Sequence, residues 1–299
     1  MQNPINLLVL APKHFAYNSE TAINNYFQNN EMQPTNIGQK AKQEHQALIQ
    51  LLKDENIDYS VLEDLDHVKN PDAVFLNNWF SVQPDNSLVI YPMWAENRRS
   101  EVHPYQIEQL KNYVQPSKII DFSDAYKHKE YCEGTGSIIF DHEEKMIFAS
   151  ISERTTPSLL AKISDELGYD YFSFKAADQN GNAIYHTNVL LSIGKHIVVL
   201  CGDAIENPIE RKMLEKALTK NEKTAINISF QQMNKFCANV LEVNDRKGNP
   251  VLLMSETAFL HFTEEQKEML RKKVRIAYCS IPTIEYFGGG SLRCMLARG

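Results

Sequence analysis

The 299-residue sequence has few cysteines and no extended runs of one residue class, and these absences exclude several kinds of protein. Its five cysteines are scattered and never form a CxxC pair, which argues against a zinc site and against a disulfide framework. No run approaches the ~18 consecutive apolar residues that a membrane-spanning helix requires. The net charge is −7, and there is no basic block, which argues against a general nucleic-acid binder.

The first residues, MQNPINLLVLAPKHFA, have a short apolar run but neither a basic segment before it nor a small-residue cleavage site after it. Together with the odd number of cysteines, this predicts a cytoplasmic protein with reduced thiols, without a metal and without a cofactor. Hydrophobic residues make up 43% of the chain and charged residues 23%, as is usual for a globular protein. No Gly/Ser- or Pro-rich linker divides the sequence, so residues 1–299 are predicted to form a single domain.

Four segments share one pattern, in which a strand-like run, a turn and a second strand-like run follow one another. They are VFLNNWFSVQPDNSLVIYPM, CEGTGSIIFDHEEKMIFASI, IYHTNVLLSIGKHIVVLC and KFCANVLEVNDRKGNPVLLMS. A stretch with apolar residues at helical spacing comes after each hairpin, with acidic, Ser or Thr residues near its start. The segments begin near Asn78, Gly134, His186 and Cys237, roughly 54 residues apart, which indicates a repeated hairpin-plus-helix unit.

A fifth unit at this spacing falls on GGGSLRCMLARG, which has room for a single strand. The N-terminal INLLVLAP is its predicted partner strand, and the helix-like SETAINNYFQ follows. Five such units predict an α/β fold, a five-bladed β/α propeller closed by pairing of the N- and C-terminal strands. The alternative is an open α/β sheet, which a hairpin before every helix disfavours.

In a five-fold ring, the residues at the start of each first strand would point toward a common centre. They are Asn77 and Asn78, Glu133, His186 with Asn188, Cys237 with Asn239, and Ser291 through Cys294. A thiol, an imidazole and a carboxylate would then meet from distant parts of the chain, as a nucleophilic site requires. Taken singly, Cys294 could equally be a small core residue, His186 a structural group and Glu133 a turn residue at a solvated edge.

The motifs NNWFS, ENRRSE, EGTGSIIFD, HTN and GGGSLRCM resemble those of the guanidino-group-modifying enzyme superfamily. This superfamily includes arginine deiminases, dimethylarginine dimethylaminohydrolases and amidinotransferases, and the resemblance is strongest to the citrulline-utilisation hydrolase branch. It implies the five-fold β/α propeller, or pentein, fold. It also implies Cys294 as the nucleophile, His186 as the general acid/base and Glu133 as the carboxylate that orients the imidazole and holds the substrate.

Two positions depart from the pattern of relatives with arginine-type substrates, which hold the guanidinium with additional aspartates. Here the corresponding residues are Asn78 (or Asn77) and Asn188. An amide does not neutralise a cation, but its NH2 group can donate to a carbonyl oxygen. The asparagines therefore favour a neutral ureido group, as in citrulline, unless they only satisfy backbone groups at the strand ends.

Arg98 and Arg99 are the candidates for binding a substrate α-carboxylate, because a guanidinium offers a bidentate fork. The alternative is a solvated pair at the start of a helix. Gly290 is expected to let the substrate approach the main chain, because glycine leaves space beside the backbone. Arg293 is expected to be structural, and Arg154 has only a possible contact at a helix start.

The sequence thus predicts a cytoplasmic, cofactor-independent hydrolase that cleaves a C–N bond of a small guanidino or ureido amino acid, with no nucleic-acid or membrane partner. Amidinotransfer through the same covalent intermediate is one alternative. A non-catalytic binding propeller is another. The oligomeric state stays open.

Overall fold

The computed structural model describes residues 6–31, 36–219 and 223–298. Its strands are β1 (Leu7–Leu10), β2 (Tyr59–Leu62), β3 (Phe80–Val82), β4 (Leu88–Ile90), β5 (Ile119–Asp121), β6 (Ile138–Asp141), β7 (Met146–Ser150), β8 (Asp170–Phe174), β9 (Leu191–Ile193), β10 (Ile197–Leu200), β11 (Thr224–Asn227), β12 (Leu241–Asn244), β13 (Pro250–Ser255), β14 (Arg275–Cys279) and β15 (Ala297–Arg298). Its α-helices are α1 (Ile37–Asp54), α2 (Pro104–Val114), α3 (Gly134–Ser137), α4 (Pro157–Leu167), α5 (Pro208–Leu218), α6 (Phe230–Met233), α7 (Glu256–His261), α8 (Glu264–Arg271) and α9 (Pro282–Gly288). The strands form five sheets of three strands each within the described ranges.

Four of these sheets are built in the same way. An antiparallel hairpin comes first, as in β3 and β4; a helix follows, and a third strand then pairs in parallel with the second strand of the hairpin. The same order recurs in β6–β8, β9–β11 and β12–β14. The four predicted hairpins and the helices after them are therefore present, and each unit has one strand more than the sequence predicted.

Local sequence explains where these elements begin and turn. Proline stands at the first position of α2, α4 and α5, where its missing N–H has no helical partner to lose. Two hairpin turns contain residues with positive φ, Asn86 at 62° and Gly248 at 84°, as tight turns require.

The fifth sheet joins residues from the two ends of the chain. β1 is its central strand and lies antiparallel to β15, with Leu7 opposite Arg298 and Leu8 opposite Ala297, and parallel to β2. Ile5, the first residue of the predicted strand, lies outside the described residues. The tail differs from the prediction, because only Ala297–Arg298 form a strand and Leu292–Met295 form a 3-10 turn.

The predicted helix over SETAINNYFQ is wrong, since only Thr21–Ile23 form a short 3-10 turn there. Asparagine side chains compete with the helical pattern in this stretch. Asn18 accepts a hydrogen bond from the backbone N–H of Glu20, and Asn25 accepts one from that of Phe27. The helix of this unit is α1, which begins after the segment at Ile37.

The core lies on both faces of the central strands. All residues of β4 and β10 are buried, as expected for strands covered by side chains on each side. Within the described part of the chain, no helix is both long and apolar enough to cross a membrane.

Candidate active site

Asn77, Asn78, Asn188 and Cys294 lie on short helical turns directly before the first strands, and Glu133 and His186 lie immediately before two of these turns. Leu76–Asn78 precedes β3, α3 precedes β6, Thr187–Val189 precedes β9, and Leu292–Met295 precedes β15. The first of these turns contacts both α3 and the turn of Cys294, and α3 in turn contacts Thr187–Val189. Segments that are far apart in sequence are thus brought to one place.

Glu133 is at the centre of a buried group of charges. Its side chain is fully buried; Oε1 accepts a hydrogen bond from the backbone N–H of Trp94 at 2.8 Å, and Oε2 lies 2.7 Å from Nε2 of His186 and 3.4 Å from Nη1 of Arg154. Burial alone would raise the pKa of Glu133, but the Arg154 guanidinium and the His186 hydrogen bond outweigh it and lower the pKa to about 2. Glu133 is therefore a carboxylate at neutral pH.

His186 is oriented by this carboxylate. Because an ionised carboxylate only accepts, Nε2 carries the ring proton that it donates to Glu133, and Nδ1 keeps a free lone pair. Burial lowers the pKa of His186 to about 4, against the opposing effect of Glu133. The imidazole is therefore neutral near pH 7 and can accept a proton at Nδ1.

Gly136 makes room for this arrangement. A Cβ atom built there would lie 2.6 Å from Nδ2 of Asn78 and 2.8 Å from Nδ1 of His186. These separations are shorter than side chains tolerate, so any larger residue would displace the imidazole or the amide. The packing of the site thus explains Gly136, the second glycine of the EGTGS motif.

The thiol of Cys294 lies between two asparagine amides. Nδ2 of Asn188 donates to Sγ at 3.3 Å and Nδ2 of Asn239 donates at 3.2 Å. In its thiol form the sulfur can also donate to Oδ1 of Asn239, at 3.6 Å. Asn188 is two residues after His186, so one turn carries the amide donor to the sulfur and directly follows the imidazole that bonds to Glu133. Cys294 is 6% exposed and has polar neighbours, unlike a cysteine sealed among aliphatic side chains.

Asn77 and Asn78 are buried and bonded to each other. Nδ2 of Asn78 donates to Oδ1 of Asn77 at 3.2 Å, while Oδ1 of Asn78 accepts from Nη1 of Arg98 at 2.8 Å. Nδ2 of Asn77 donates to the hydroxyl of Thr135 at 3.2 Å. Both amides thus hold neighbouring turns together beside the imidazole.

The structure gives neither Arg98 nor Arg99 the free fork that carboxylate binding requires. Arg98 is buried and forms a bidentate ion pair with Glu101, at 2.7 and 2.9 Å, in addition to its bond to Asn78. Arg99 donates to the carbonyls of Met93 and Trp94 and stacks 4.3 Å above the ring of Tyr126. Neither one is a solvated residue at a helix start.

The glycine run before Cys294 packs closely against Phe75. A Cβ atom at Gly290 would lie 2.9 Å from the ring of Phe75, and one at Gly288 would lie 2.6 Å from the same ring. Gly289 ends α9 with a φ of 62°. The glycine run therefore allows close packing on Phe75 and a helix end, and the approach of a substrate to Gly290 stays a prediction.

Arg154 is a residue of the site that sequence reasoning missed. Its guanidinium is buried beside Glu133 and lies 4.7 Å from the centre of the Tyr185 ring. Nη2 donates to the carbonyl of Thr21 at 2.8 Å, and Nε donates to Oδ1 of Asn24 at 2.9 Å. No motif in the sequence marks Arg154, because its partners are about 20 and 130 residues away along the chain.

Sequence reasoning also missed Asp72, because its hydrogen-bond partners are far away along the chain. It is buried, and Oδ2 accepts from the side chains of Asn18 and Thr21 at 2.8 and 2.9 Å. Oδ1 has no hydrogen-bond partner among the described residues. Burial raises the pKa of Asp72, although nearby Arg98 opposes the shift.

Residues 18–29, here called the cover segment, close the site. Besides its contacts with Arg154 and Asp72, the segment donates from Asn25 and Gln28 to carbonyls of the tail, those of Gly288 and Phe287. The cover segment thus holds two of the charged groups and the glycine run in one network.

Two other predicted residues lie away from this chemistry. Cys237 is buried in the core, where its thiol contacts the carbonyl of Ala258 at 3.5 Å. Arg293 donates to the carbonyl of Leu296 at 3.0 Å, as a structural residue would. Residues 6–31, 36–219 and 223–298 contain no group of three or more His, Cys, Asp or Glu side chains that could hold a metal ion.

Solved structures share this fold. The N-terminal domain of ArgZ, described as an arginine dihydrolase from cyanobacteria, superposes with a TM-score of 0.77 at 17% identity, over 98% of this chain and 97% of that domain. Full-length ArgZ matches over only 40% of its length. A dimethylarginine dimethylaminohydrolase matches with a TM-score of 0.65 at 16% identity, over 98% of this chain and 99% of that one. At these identities the likeness establishes the shared α/β fold alone.

A family comparison goes further. Residues 11–298 match the family model described as eukaryotic N,N dimethylarginine dimethylhydrolase. The chain belongs to this family, a family of hydrolases that act on C–N bonds other than peptide bonds. No curated protein sequence matches the chain.

Proposed function

We propose that this protein hydrolyses a C–N bond in the guanidino or ureido group of an amino acid, through a covalent intermediate on Cys294. The observation that carries the proposal is the 2.7 Å contact between Glu133 and His186, together with a thiol that receives two amide hydrogen bonds, one of them from Asn188, two residues after His186. A site that only binds a ligand has no need for an oriented, neutral imidazole and a polar-lined thiol.

In the first step, the thiolate of Cys294 attacks the central carbon of the group and forms a C–S bond. The proton that the Cys294 thiol loses passes through Nδ1 of His186 to the leaving nitrogen, the C–N bond breaks, and that nitrogen departs as ammonia or an amine. In the second step, Nδ1 of His186 removes a proton from a water molecule that attacks the same carbon. The C–S bond breaks, the imidazolium returns its proton to the sulfur, and Glu133 stabilises the imidazolium in both steps.

Arg154 is our candidate for the substrate α-carboxylate, in place of Arg98 and Arg99. Two of its nitrogens are held by Thr21 and Asn24 of the cover segment. If this segment moves to admit a substrate, these nitrogens become available as a fork for a carboxylate. Asp72 offers a buried carboxylate oxygen without a partner, which suits a cationic N–H group of the same substrate.

The asparagines decide between a guanidino and a ureido group. Asn77, Asn78, Asn188 and Asn239 are neutral, and the one carboxylate next to the imidazole, Glu133, is already balanced by Arg154. This favours a neutral ureido group such as that of citrulline. Two comparisons support a guanidino substrate instead: ArgZ is described as an arginine dihydrolase, and its N-terminal domain has been seen covalently bonded to a reaction intermediate.

The test is a substrate panel of citrulline, arginine, agmatine and methylated arginines, with ammonia, amines and ureido products all measured. We expect turnover of at least one ureido or guanidino amino acid and none with Cys294→Ala. Mass spectrometry should find an adduct on Cys294 in trapped wild-type protein. A clear preference for arginine would overturn the ureido assignment, and turnover by Cys294→Ala would overturn the covalent mechanism.

We also propose that the five sheets are the blades of a single-domain, closed β/α propeller. The supporting observation is that the strand after the nucleophile, β15, pairs with β1. The five cysteines are all free, which supports a reducing compartment such as the cytoplasm.

A further inference from the structure

A cavity of about 210 Å³ lies along the first strands of the five sheets. Residues of β3, β6, β9, β12 and β15 line it, whereas Cys294, His186 and Glu133 do not. Three residues from the turns that carry or adjoin the reactive groups, Thr135, Asn188 and Arg293, do lie on its wall. The cavity is therefore a separate space beside the candidate active site, with room for a small ion or organic acid.

The cavity wall carries an excess of positive charge. Four cationic side chains and two carboxylates line it, which are Lys195, Lys223, Arg293, Arg298, Asp141 and Glu143. The chain as a whole has a net charge of −7, so this concentration of cations runs against its overall sign. Such a pocket attracts anions.

The two half-buried arginines have no anionic partner among the described residues, and neither does the exposed Lys195. Arg293 donates to the carbonyl of Leu296 at 3.0 Å, and Arg298 donates to that of Glu242 at 3.3 Å. The carboxylate of Glu242 is bonded to His196 instead, with Oε1 of Glu242 2.6 Å from Nδ1 of His196. By contrast, Lys223 forms an ion pair with Asp141 at 2.6 Å. Burial lowers the pKa of Arg293 to about 10, and the neighbouring Arg298 acts in the same direction.

The wall also contains a buried acceptor without a donor. Gln83 is 6% exposed, and its Nε2 donates to the hydroxyl of Ser81 at 2.8 Å. Its Oε1 has no hydrogen-bond partner in the described part of the chain. Buried polar atoms are nearly always paired, so an unpaired acceptor on a residue that lines the cavity indicates a missing partner.

We propose that this cavity is a second ligand site, which binds a small anion that also carries an O–H or N–H donor. Arg293 and Arg298 would hold the negative charge, and Oε1 of Gln83 would accept the ligand's donor. Hydrogen phosphate and small hydroxycarboxylates have this chemistry. A simple dicarboxylate lacks the donor and satisfies only the arginines.

The experiment is isothermal titration of the full chain with phosphate, malate and succinate, the last of which lacks malate's hydroxyl. We expect saturable binding of phosphate or malate to the wild type. Arg298→Gln and Arg293→Gln should weaken it at least tenfold, and Arg271→Gln, the control at an exposed arginine, should leave it unchanged. Gln83→Leu should reduce malate binding to the level of succinate without changing that of succinate.

Two results would overturn the proposal: no saturable binding of either anion to the wild type, or equal dissociation constants for Arg298→Gln and Arg271→Gln. Loss of binding in Arg154→Gln, with Arg298→Gln unaffected, would also overturn it, because the anion would then lie in the active site. Arg293 is next to Cys294 in the chain, so its variant is first checked by circular dichroism. If Arg293→Gln fails to fold, the dissociation constant of Arg298→Gln alone decides whether the proposal stands.

Discussion

The two amides at Cys294 offer a direct test of whether hydrogen bonds to the sulfur stabilise its charged form. We expect Asn239→Leu, which keeps the size of the side chain but removes the donor 3.2 Å from Sγ, to lower the reactivity of the sulfur. Asn188→Leu removes the second donor, at 3.3 Å, and should act in the same direction. The expected size of the effect follows from the strength of one hydrogen bond to a charged sulfur.

A hydrogen bond to a charged group contributes about 1.5–3 kcal/mol, and leucine offers none. At about 1.4 kcal/mol per factor of ten, its loss leaves roughly 10- to 150-fold less thiolate. A more basic thiolate is also a better nucleophile, and with a Brønsted coefficient of about 0.5 this recovers about half of the loss on a logarithmic scale. The net expectation is a reaction roughly 3- to 12-fold slower with a disulfide reagent.

The assay is stopped-flow reaction with 4,4′-dithiodipyridine at pH 7. Of the five free cysteines, only Cys279 is half-buried and the other four are buried, so the measurement uses a Cys279→Ser background. Asn249→Leu, in the turn before β13, is the matched control and should react like the background protein. If both Asn188→Leu and Asn239→Leu react as fast as this control, the amides do not stabilise the thiolate and the reasoning fails.

Three further predictions concern the charged group and its packing. Burial lowers the pKa of His186 from 6.5 to about 4, so kcat/KM should fall only as the pH approaches 4. Stability should decline earlier, as the pH falls from about 6.5 toward 4, because the histidine of the unfolded chain takes up a proton first. A kcat/KM profile with its midpoint near 6.5 would contradict this. Arg154→Gln leaves the Glu133 carboxylate buried without its cation. This should lower the free energy of unfolding, measured by urea denaturation, by about 3–5 kcal/mol. A loss below about 1 kcal/mol would mean that the pair is not buried as described. Gly136→Ala should displace the imidazole and reduce kcat roughly a hundredfold, whereas Gly38→Ala, whose added methyl group meets only ordinary contacts, should leave kcat unchanged.

The sequence predicted the elements whose signals are local. Turn residues between two apolar runs located the four hairpins, and helical spacing located the helices after them. The third strand of each unit escaped prediction because it is short and partly exposed, as in β5, where two of three residues face solvent. The cover segment escaped because its asparagines bond to nearby backbone groups and interrupt the helical pattern.

The same distinction between local and long-range signals decides which residues of the candidate site could be predicted. Glu133, His186 and Cys294 could be proposed because each stands at the same place in its repeat. Arg154 and Asp72 could not, because what defines them is contact with the cover segment, far away in the sequence. The sequence indicated Arg98 as a residue that binds the substrate carboxylate. In the structure its guanidinium is paired with Glu101, three residues away.

The position of β1 bears on how the protein is made. This strand leaves the ribosome before the strands that follow it, yet one of its edges stays unpaired until Ala297 and Arg298 have been synthesised. Cys294, the proposed nucleophile, directly precedes β15 in the chain. A nascent chain must therefore shield an open strand edge while the residues between β1 and β15 are synthesised, and it gains the Cys294 thiol and the last partner of β1 almost together.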